Sequence, residues 1–134
     1  MSALKIKAAI EVALNGLSPP LATAWENTRF LPVTGTPYQR VWFMGFIPHN
    51  LELGQSHTIE GYVQIDLMYP LLVGTADILA RAELIKDLFR NSSSFSNSGL
   101  ILNIIQTPEI SPGSNDGDRW KIVVKVYYSA WVIV

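Results

Sequence analysis

The sequence predicts an α+β fold, a mainly antiparallel β-sheet with two amphipathic helices packed on one of its faces. Three observations carry that expectation. Apolar residues recur at three- and four-residue steps in two segments, Ile6 to Leu17 and Ile78 to Phe89, as in helices with one buried face. Strict alternation runs from Thr58 to Tyr69, the pattern of a half-buried strand. The remaining extended segments are joined by local polar connections, so hairpins and antiparallel pairing are the economical topology. A chain of 134 residues without linker, repeat or low-complexity tail is read as one domain over 1–134.

The first helix is built on Ile6, Ala9, Ile10, Ala13, Leu14 and Leu17, with Ser2 as its expected N-cap. Gly16 and Pro19-Pro20 end it, because proline supplies no amide donor and restricts the residue before it. An extended, looping stretch follows, anchored by Trp25, Phe30 and Val33, and Gly35-Thr36-Pro37 punctuates it. Tyr38 to Phe46, rich in aromatic and β-branched residues, is expected to be a strand. Pro48 to Ser56 shows no periodicity and reads as an irregular connection. In the alternating strand, Ile59, Gly61, Val63, Ile65, Leu67 and Tyr69 share one face, and Thr58, Glu60, Tyr62, Gln64, Asp66 and Met68 the other.

Thr75 is the expected cap of the second helix, with Asp77 in its first turn and Arg90 near its end. Its buried stripe is Ile78, Ala82, Ile85, Leu88 and Phe89. Asn91-Ser92-Ser93-Ser94 and Asn97-Ser98-Gly99 read as turn chemistry bracketing Phe95 in a short polar connection, and Leu100 to Gln106 as a strand. A loop from Pro108 to Arg119 then leads to the last strand, Trp120 to Val134, after which no C-terminal arm is expected.

With helices on one face only, Trp42, Met44, Tyr62 and Met68 project from the other, joined by Tyr127, Trp131 and Ile133. Such an apolar face is unusual on a monomer. Composition agrees: charged residues are 16% of the chain, against about 25% in an average domain, and mean hydropathy is +0.22. Contact with further subunits is therefore expected.

Other classes are excluded by what the sequence lacks. A net charge of −1 with scattered Lys and Arg argues against phosphate-neutralising nucleic-acid binding and against a polybasic membrane binder. The absence of cysteine removes disulfides, thiolate nucleophiles and thiolate metal sites. No apolar run reaches the ~18 residues of a spanning helix, and Glu11 interrupts any signal-peptide reading of the N-terminus. A cytosolic domain is expected.

His49 and His57 lie in or beside the irregular connection, with Asn50, Glu52 and Glu60 nearby. Their spacing matches no compact metal motif, and solvated loop residues are the simpler reading. Asp116-Gly117-Asp118 resembles the start of a calcium loop, but Arg119 and Trp120 follow where oxygen ligands are needed, so a turn is expected. Glu60 and Asp66 lie about 20 Å apart along a strand, too far for paired-carboxylate catalysis. No phosphate cradle or nucleophile motif is present. No catalytic residue, cofactor or metal is expected.

Ala24-Trp25-Glu26-Asn27, Gly35-Thr36-Pro37-Tyr38-Gln39-Arg40-Val41 and Gly61 to Pro70 together resemble the small tail terminator proteins of long-tailed bacteriophages. The downstream half agrees through Asp87-Leu88-Phe89-Arg90, Ser111-Pro112-Gly113, Asp116 to Trp120 and Tyr127-Tyr128-Ser129-Ala130-Trp131. The resemblance implies an antiparallel sheet with helices on one side. It also implies a virion protein that assembles as a homohexameric ring on the head-proximal end of the tail tube, stops tube growth and presents a surface to the head or neck completion protein. Its implied partners are further copies of itself, the tube protein and the neck, with DNA passing through the ring but no sequence-specific nucleic acid and no membrane. The candidate interface residues are then Trp42, Met44, Tyr62, Met68 and Trp131 on the sheet, His49, Asn50, Glu52 and His57 at the irregular connection, and Asp116 and Asp118 at the later turn. Alternatives are a head-completion or neck ring protein, a small metal- or ligand-binding protein using the His49 and His57 loop, and a soluble oligomer without a viral role.

Overall fold

A computed structural model describes residues 2–50, 57–97 and 99–132. The elements run α1 (Ser2–Asn15), β1 (Ala22–Ala24), β2 (Tyr38–Asn50), β3 (His57–Pro70), α2 (Ala76–Leu88), β4 (Ser94–Asn97), β5 (Leu100–Ile104), β6 (Glu109–Ile110), β7 (Ser114–Asp116) and β8 (Arg119–Val132). They form one sheet in the order β1-β2-β3-β8-β5-β4, and β6 and β7 also pair with β8. Every pairing is antiparallel except that of β1, which lies parallel to β2 through Ala22 opposite Tyr38. The fold is α+β, with a mixed rather than purely antiparallel sheet.

The alternation of β3 translates directly into its two faces. Val63, Ile65 and Leu67 are fully buried and meet Val126, Val124 and Ile122 of β8 in the ladder. Ile6, Ile10 and Leu14 of α1 and Ile78, Ala82, Ile85 and Phe89 beside α2 close the same core. Each such aliphatic side chain contributes about 1.5–3 kcal/mol on burial. Both helices thus cover one face, as their periodicity predicts.

Several boundaries differ from the sequence reading, each for a pairing reason. β2 continues through Pro48, His49 and Asn50, because these residues find partners in Ile59, Thr58 and His57. What reads as an irregular loop is partly the far end of a hairpin, and 51–56 lie outside the described residues. Ser94–Asn97 pairs with β5 and is a strand, not a polar connection. The Pro108 to Arg119 loop contains β6 and β7, two short pieces held on the edge of β8. Thr75 occupies the N-cap position without a side-chain cap hydrogen bond, and Ser2 is already the first helical residue. The expected strand to Val134 is seen to Val132, the last described residue.

One irregularity in the β2–β3 ladder is built on two glycines. The register shifts between Met44 and Ile47, and Gly45 (φ +108°) and Phe46 (φ +59°) bulge opposite Gly61. A Cβ on Gly61 would lie 2.5 Å from the Met44 carbonyl oxygen, 2.9 Å from the Tyr128 hydroxyl and 3.0 Å from the Phe46 amide nitrogen. Backbone and a buried ring therefore occupy the space a side chain would need. Tyr128 is fully buried, and that burial pushes its phenol up to about 12, the Phe46 backbone pulling the other way.

Gly61→Ala is expected to destabilise the protein by about 1–3 kcal/mol in chemical denaturation, because backbone must move to admit the methyl group; an unchanged midpoint would show that the bulge opens freely. For Tyr128, the raised folded pKa stabilises the protein below pH 10, and that contribution is lost as pH rises towards 12. Tyr128→Phe should be near neutral at pH 7, while its stability relative to wild type rises by up to about 2.7 kcal/mol between pH 10 and pH 12. Denaturation curves recorded across that range check the sign.

Candidate interaction surface

The sheet face opposite the helices carries Tyr38, Arg40, Trp42, Met44, Ile47 and His49 from β2. Beside them stand Met68, Asp66, Gln64, Tyr62, Glu60 and Thr58 from β3, and Lys121, Val123, Lys125, Tyr127, Ser129 and Trp131 from β8. The register, unbroken between β3 and β8 and shifted once between β2 and β3, makes these rows cross-strand neighbours. Most of the apolar residues anticipated on this face do stand there. The structure divides the face into a covered end, a polar middle and an open apolar end.

At the covered end, the segment between β1 and β2 folds back over the sheet. Arg119 donates from Nη1 to the Thr36 carbonyl at 2.5 Å and from Nη2 to the Val33 carbonyl at 2.8 Å. Its guanidinium lies 5.0 Å from the centre of the Tyr38 ring, against which Phe30 packs at 5.1 Å. Val33 thus anchors the segment through its carbonyl, its side chain remaining exposed. This fold-back corrects one expectation. Met68, opposite Tyr38 in the ladder, is 2% exposed and belongs to the interior, not to an accessible surface.

The middle of the face is a polar network around the buried Asp66 carboxylate. Trp42 donates its indole N–H to Asp66 Oδ2 at 3.0 Å, Gln64 donates to Oδ1 at 3.0 Å, and Arg40 lies 3.4 Å from Oδ2. Arg40 also reaches Asp116 at 3.2 Å, which Lys121 approaches at 3.6 Å. Asp116 is therefore tied to the sheet by its own chain, whereas Asp118 is exposed at the β7–β8 turn. Gly117 takes a φ of +61° in that two-residue turn. Beside the network, an open cleft of about 700 Å3 lies between Gln64, Val123 and Lys125 and the strip Glu109 to Pro112. Ser111 holds the strip in place, exchanging hydrogen bonds of 2.9 Å with the Val123 backbone through its own amide and hydroxyl.

The open end is apolar and aromatic. Tyr62 and Tyr127 pack with ring centres 5.3 Å apart, and Lys125 lies 5.5 Å over the Tyr62 ring. Met44 is the cross-strand neighbour of Tyr62. Trp42, Ile47, Ile101 and Trp131 expose 37, 55, 49 and 44% of their surface, far more than a monomer's interior-facing residues would. Ile133 and Glu52 lie outside the described residues, as do residues 51–56 of the expected contact loop. Asn50 is the last described residue of β2, paired with His57.

The two histidines are separated by the register. His49 pairs with Thr58 and projects on the outer face, 3.6 Å from Glu60, whereas His57 is one residue out of phase and belongs to the other face. Among the described residues no three His, Cys, Asp or Glu side chains are grouped to hold a metal ion. Within the described residues the two histidines therefore share no ligand set, and Glu52 lies outside them. No described helix is long and apolar enough to cross a membrane.

Sequence reasoning missed two features of the surface. Arg119 reads as the end of a loop, and only the chain reversal at Gly35 brings it under the Val33–Thr36 segment. Leu72 and Val73, after β3, form an exposed apolar tip in which Leu72 adopts a φ of +63°. An apolar doublet in a turn carries no periodicity, so pattern analysis passes over it.

Comparisons with known proteins agree with this architecture. No curated protein matches the chain. Among solved structures, one with 19% sequence identity superposes with a TM-score of 0.78 over 96% of this chain and 95% of its own, a likeness of fold. The family described as phage tail terminator protein matches residues 5–128, nearly the full length. With that match covering most of the sheet and both helices, the chain belongs to the phage tail terminator protein family, a structural family of virion tail assembly.

Proposed function

We propose that this protein assembles into a homohexameric ring that caps the head-proximal end of the tail tube, ends its polymerisation and offers the joining surface for the neck. The observation that carries the reading is the uncovered sheet face, where Trp42, Ile47, Ile101 and Trp131 are exposed beside Met44 and Tyr62, with Glu60, Thr58 and Ser129 among them, on a chain with 16% charged residues. A stable interface removes roughly 800 Å2 per partner from water, with aromatic anchors at its centre. The open end supplies those anchors.

In a ring each subunit presents two different surfaces, so the apolar face of one copy meets a different patch of the next. The Asp66 network lies beside the apolar area, where charged and polar groups fix orientation rather than supply most of the affinity. Termination is then geometric. One side of the ring matches the last ring of tube subunits, and the other lacks the surface that would add another. The β2–β3 hairpin end with His49, Asn50, Glu52 and His57, and the Pro108 to Arg119 segment with Asp116 and Asp118, are the candidate contacts with tube and neck. Asp116 is largely neutralised by Arg40 and Lys121. Asp118 is thus the better candidate for a channel-facing charge that keeps passing DNA from adhering. As a structural component of the tail, the protein performs this role without catalysis.

Ile47→Lys and Trp131→Lys change exposed residues and are expected to leave the melting temperature within a few degrees of wild type. Each should weaken self-association by about 30-fold or more, the effect of removing an aromatic or aliphatic anchor worth ~2 kcal/mol. Sedimentation velocity and negative-stain microscopy, with and without polymerised tube protein, read the result. Annular particles or capped tube ends in wild type and their loss in both variants support the ring. Rings that persist unchanged in both variants remove the sheet face from the interface, and retention of the protein on DNA-filled heads rather than on tails would assign it to the neck.

A further inference from the structure

α1 is apolar on more sides than one buried face requires. Of its 14 residues only Lys5, Lys7 and Glu11 are charged. Ile6, Ala9, Ile10 and Leu14 fill the core, yet Leu4 and Val12 stand on the other side of the helix and expose 58% and 68% of their surface. With half-buried Ala8 between them they recur every four residues, which sets them in one stripe along the solvent side. A helix that is hydrophobic all round belongs in a place where both sides are covered. Because α1 packs on the inward face of the sheet, its stripe and the open outward sheet face look in opposite directions from one subunit.

The two surfaces match in length, character and charge. From Leu4 to Val12 the stripe spans about 12 Å. On the sheet, the Trp131–Thr58 row and the Tyr127–Tyr62 row lie about 13 Å apart along the strands. Leu4 and Val12 together with Trp42, Ile47, Ile101 and Trp131 expose on the order of 600 Å2, the larger part of the roughly 900 Å2 of apolar area in a standard interface. Lys5 and Glu11 flank the stripe and make no ion pair among the described residues. On the sheet, Glu60 has the exposed His49 at 3.6 Å, and Lys125 lies over the Tyr62 ring without a carboxylate partner among the described residues. Each surface thus carries one acid and one base. They match in one direction, Lys5 towards Glu60 and Glu11 towards Lys125, and the reverse direction opposes like charges.

We propose that the α1 stripe of one copy docks on the open sheet end of the next copy, so that the helix-on-sheet layering within each subunit repeats between subunits. The inference rests on the reading of the sheet face as a contact between copies, and names what covers that face. The contact is heterologous, helix to sheet, as a closed ring requires. Sheet-to-sheet pairing of two copies would leave Leu4, Ala8 and Val12 in water, and helix-to-helix pairing would leave Trp42 and Trp131 there.

The test mixes two full-length variants, each damaged on one surface. Val12→Lys keeps the sheet face and spoils the stripe; Trp131→Lys keeps the stripe and spoils the sheet face. Both positions are exposed, and unchanged melting temperatures verify the fold. In sedimentation velocity each variant alone should be monomeric at concentrations where wild type assembles, an affinity loss of about 30-fold or more. Their equimolar mixture should form a one-to-one dimer and stop there, because only one intact helix-to-sheet contact can be made per pair. In a second readout, Lys5→Glu and Glu60→Lys each weaken wild-type assembly about fivefold at low salt, and the chain carrying both recovers it. Assembly of Val12→Lys as in wild type overturns the inference, and if Trp131→Lys is defective in the same assay the sheet-face ring reading stands without it. A mixture that stays monomeric, or a doubly reversed chain no better than its single variants, overturns the docking as stated. A one-to-one dimer in the mixture, from a wild-type chain that forms open oligomers and no rings, sustains the helix-to-sheet contact while the ring reading fails.

Discussion

The 14 residues of β3 pair without interruption with those of β8, and because successive side chains alternate, that one register decides which residues of both strands face inward. A slip of one position would exchange Val63, Ile65 and Leu67 for Gln64, Asp66 and Met68 on the core face. The other strands are hung on this pair: β2 and β1 on the free edge of β3, and β5, β6 and β7 in succession along the free edge of β8. The helices then close the inward face. Because they cover only that side, the outward face is left to the rest of the chain, or to other chains, to cover.

Two devices divide the outward face. At one end Arg119 holds the Val33–Thr36 backbone against the sheet, buries Tyr38 and Met68 and makes that end part of the monomer. At the other end the bulge at Gly45 and Phe46, with the Tyr128 ring behind Gly61, lets β2 shift register and carry Ile47 and His49 out over the open surface. A glycine at 61 is required because the two backbones approach too closely for a Cβ. Between the two ends, Asp66 collects donors from Trp42, Gln64 and Arg40. The network satisfies a buried carboxylate and orients the indole that begins the apolar area. Covered interior, satisfied polar belt and exposed aromatic end follow one another within a single sheet face.

Membership in the tail terminator family and the shape of this surface agree on a structural role. Structural proteins of assemblies are recognised by what they leave uncovered, and this one leaves part of one sheet face. The sheet face is apolar and broad, suited to another subunit.

The sequence alone determined the parts that depend on local periodicity. The helical stripes of α1 and α2, the alternation of β3 and the apolar character of Trp42, Met44, Tyr62 and Trp131 are all written at fixed spacing, and the low charge content already asked for further interfaces. The phage resemblance, carried by ordered short motifs, named the family. What depends on which distant residues meet was decided by tertiary structure. The extension of β2 past Phe46, the strand character of Ser94–Asn97 and of the short β6 and β7 arise from pairing partners tens of residues away. The burial of Met68, the separation of His49 from His57 onto opposite faces and the hydrogen bond of Arg81 to the Pro19 carbonyl have the same origin. A side chain's neighbours within a strand or helix follow from backbone geometry and can be read from spacing. Its neighbours across the sheet follow from register and chain reversal, which single-chain patterns do not encode.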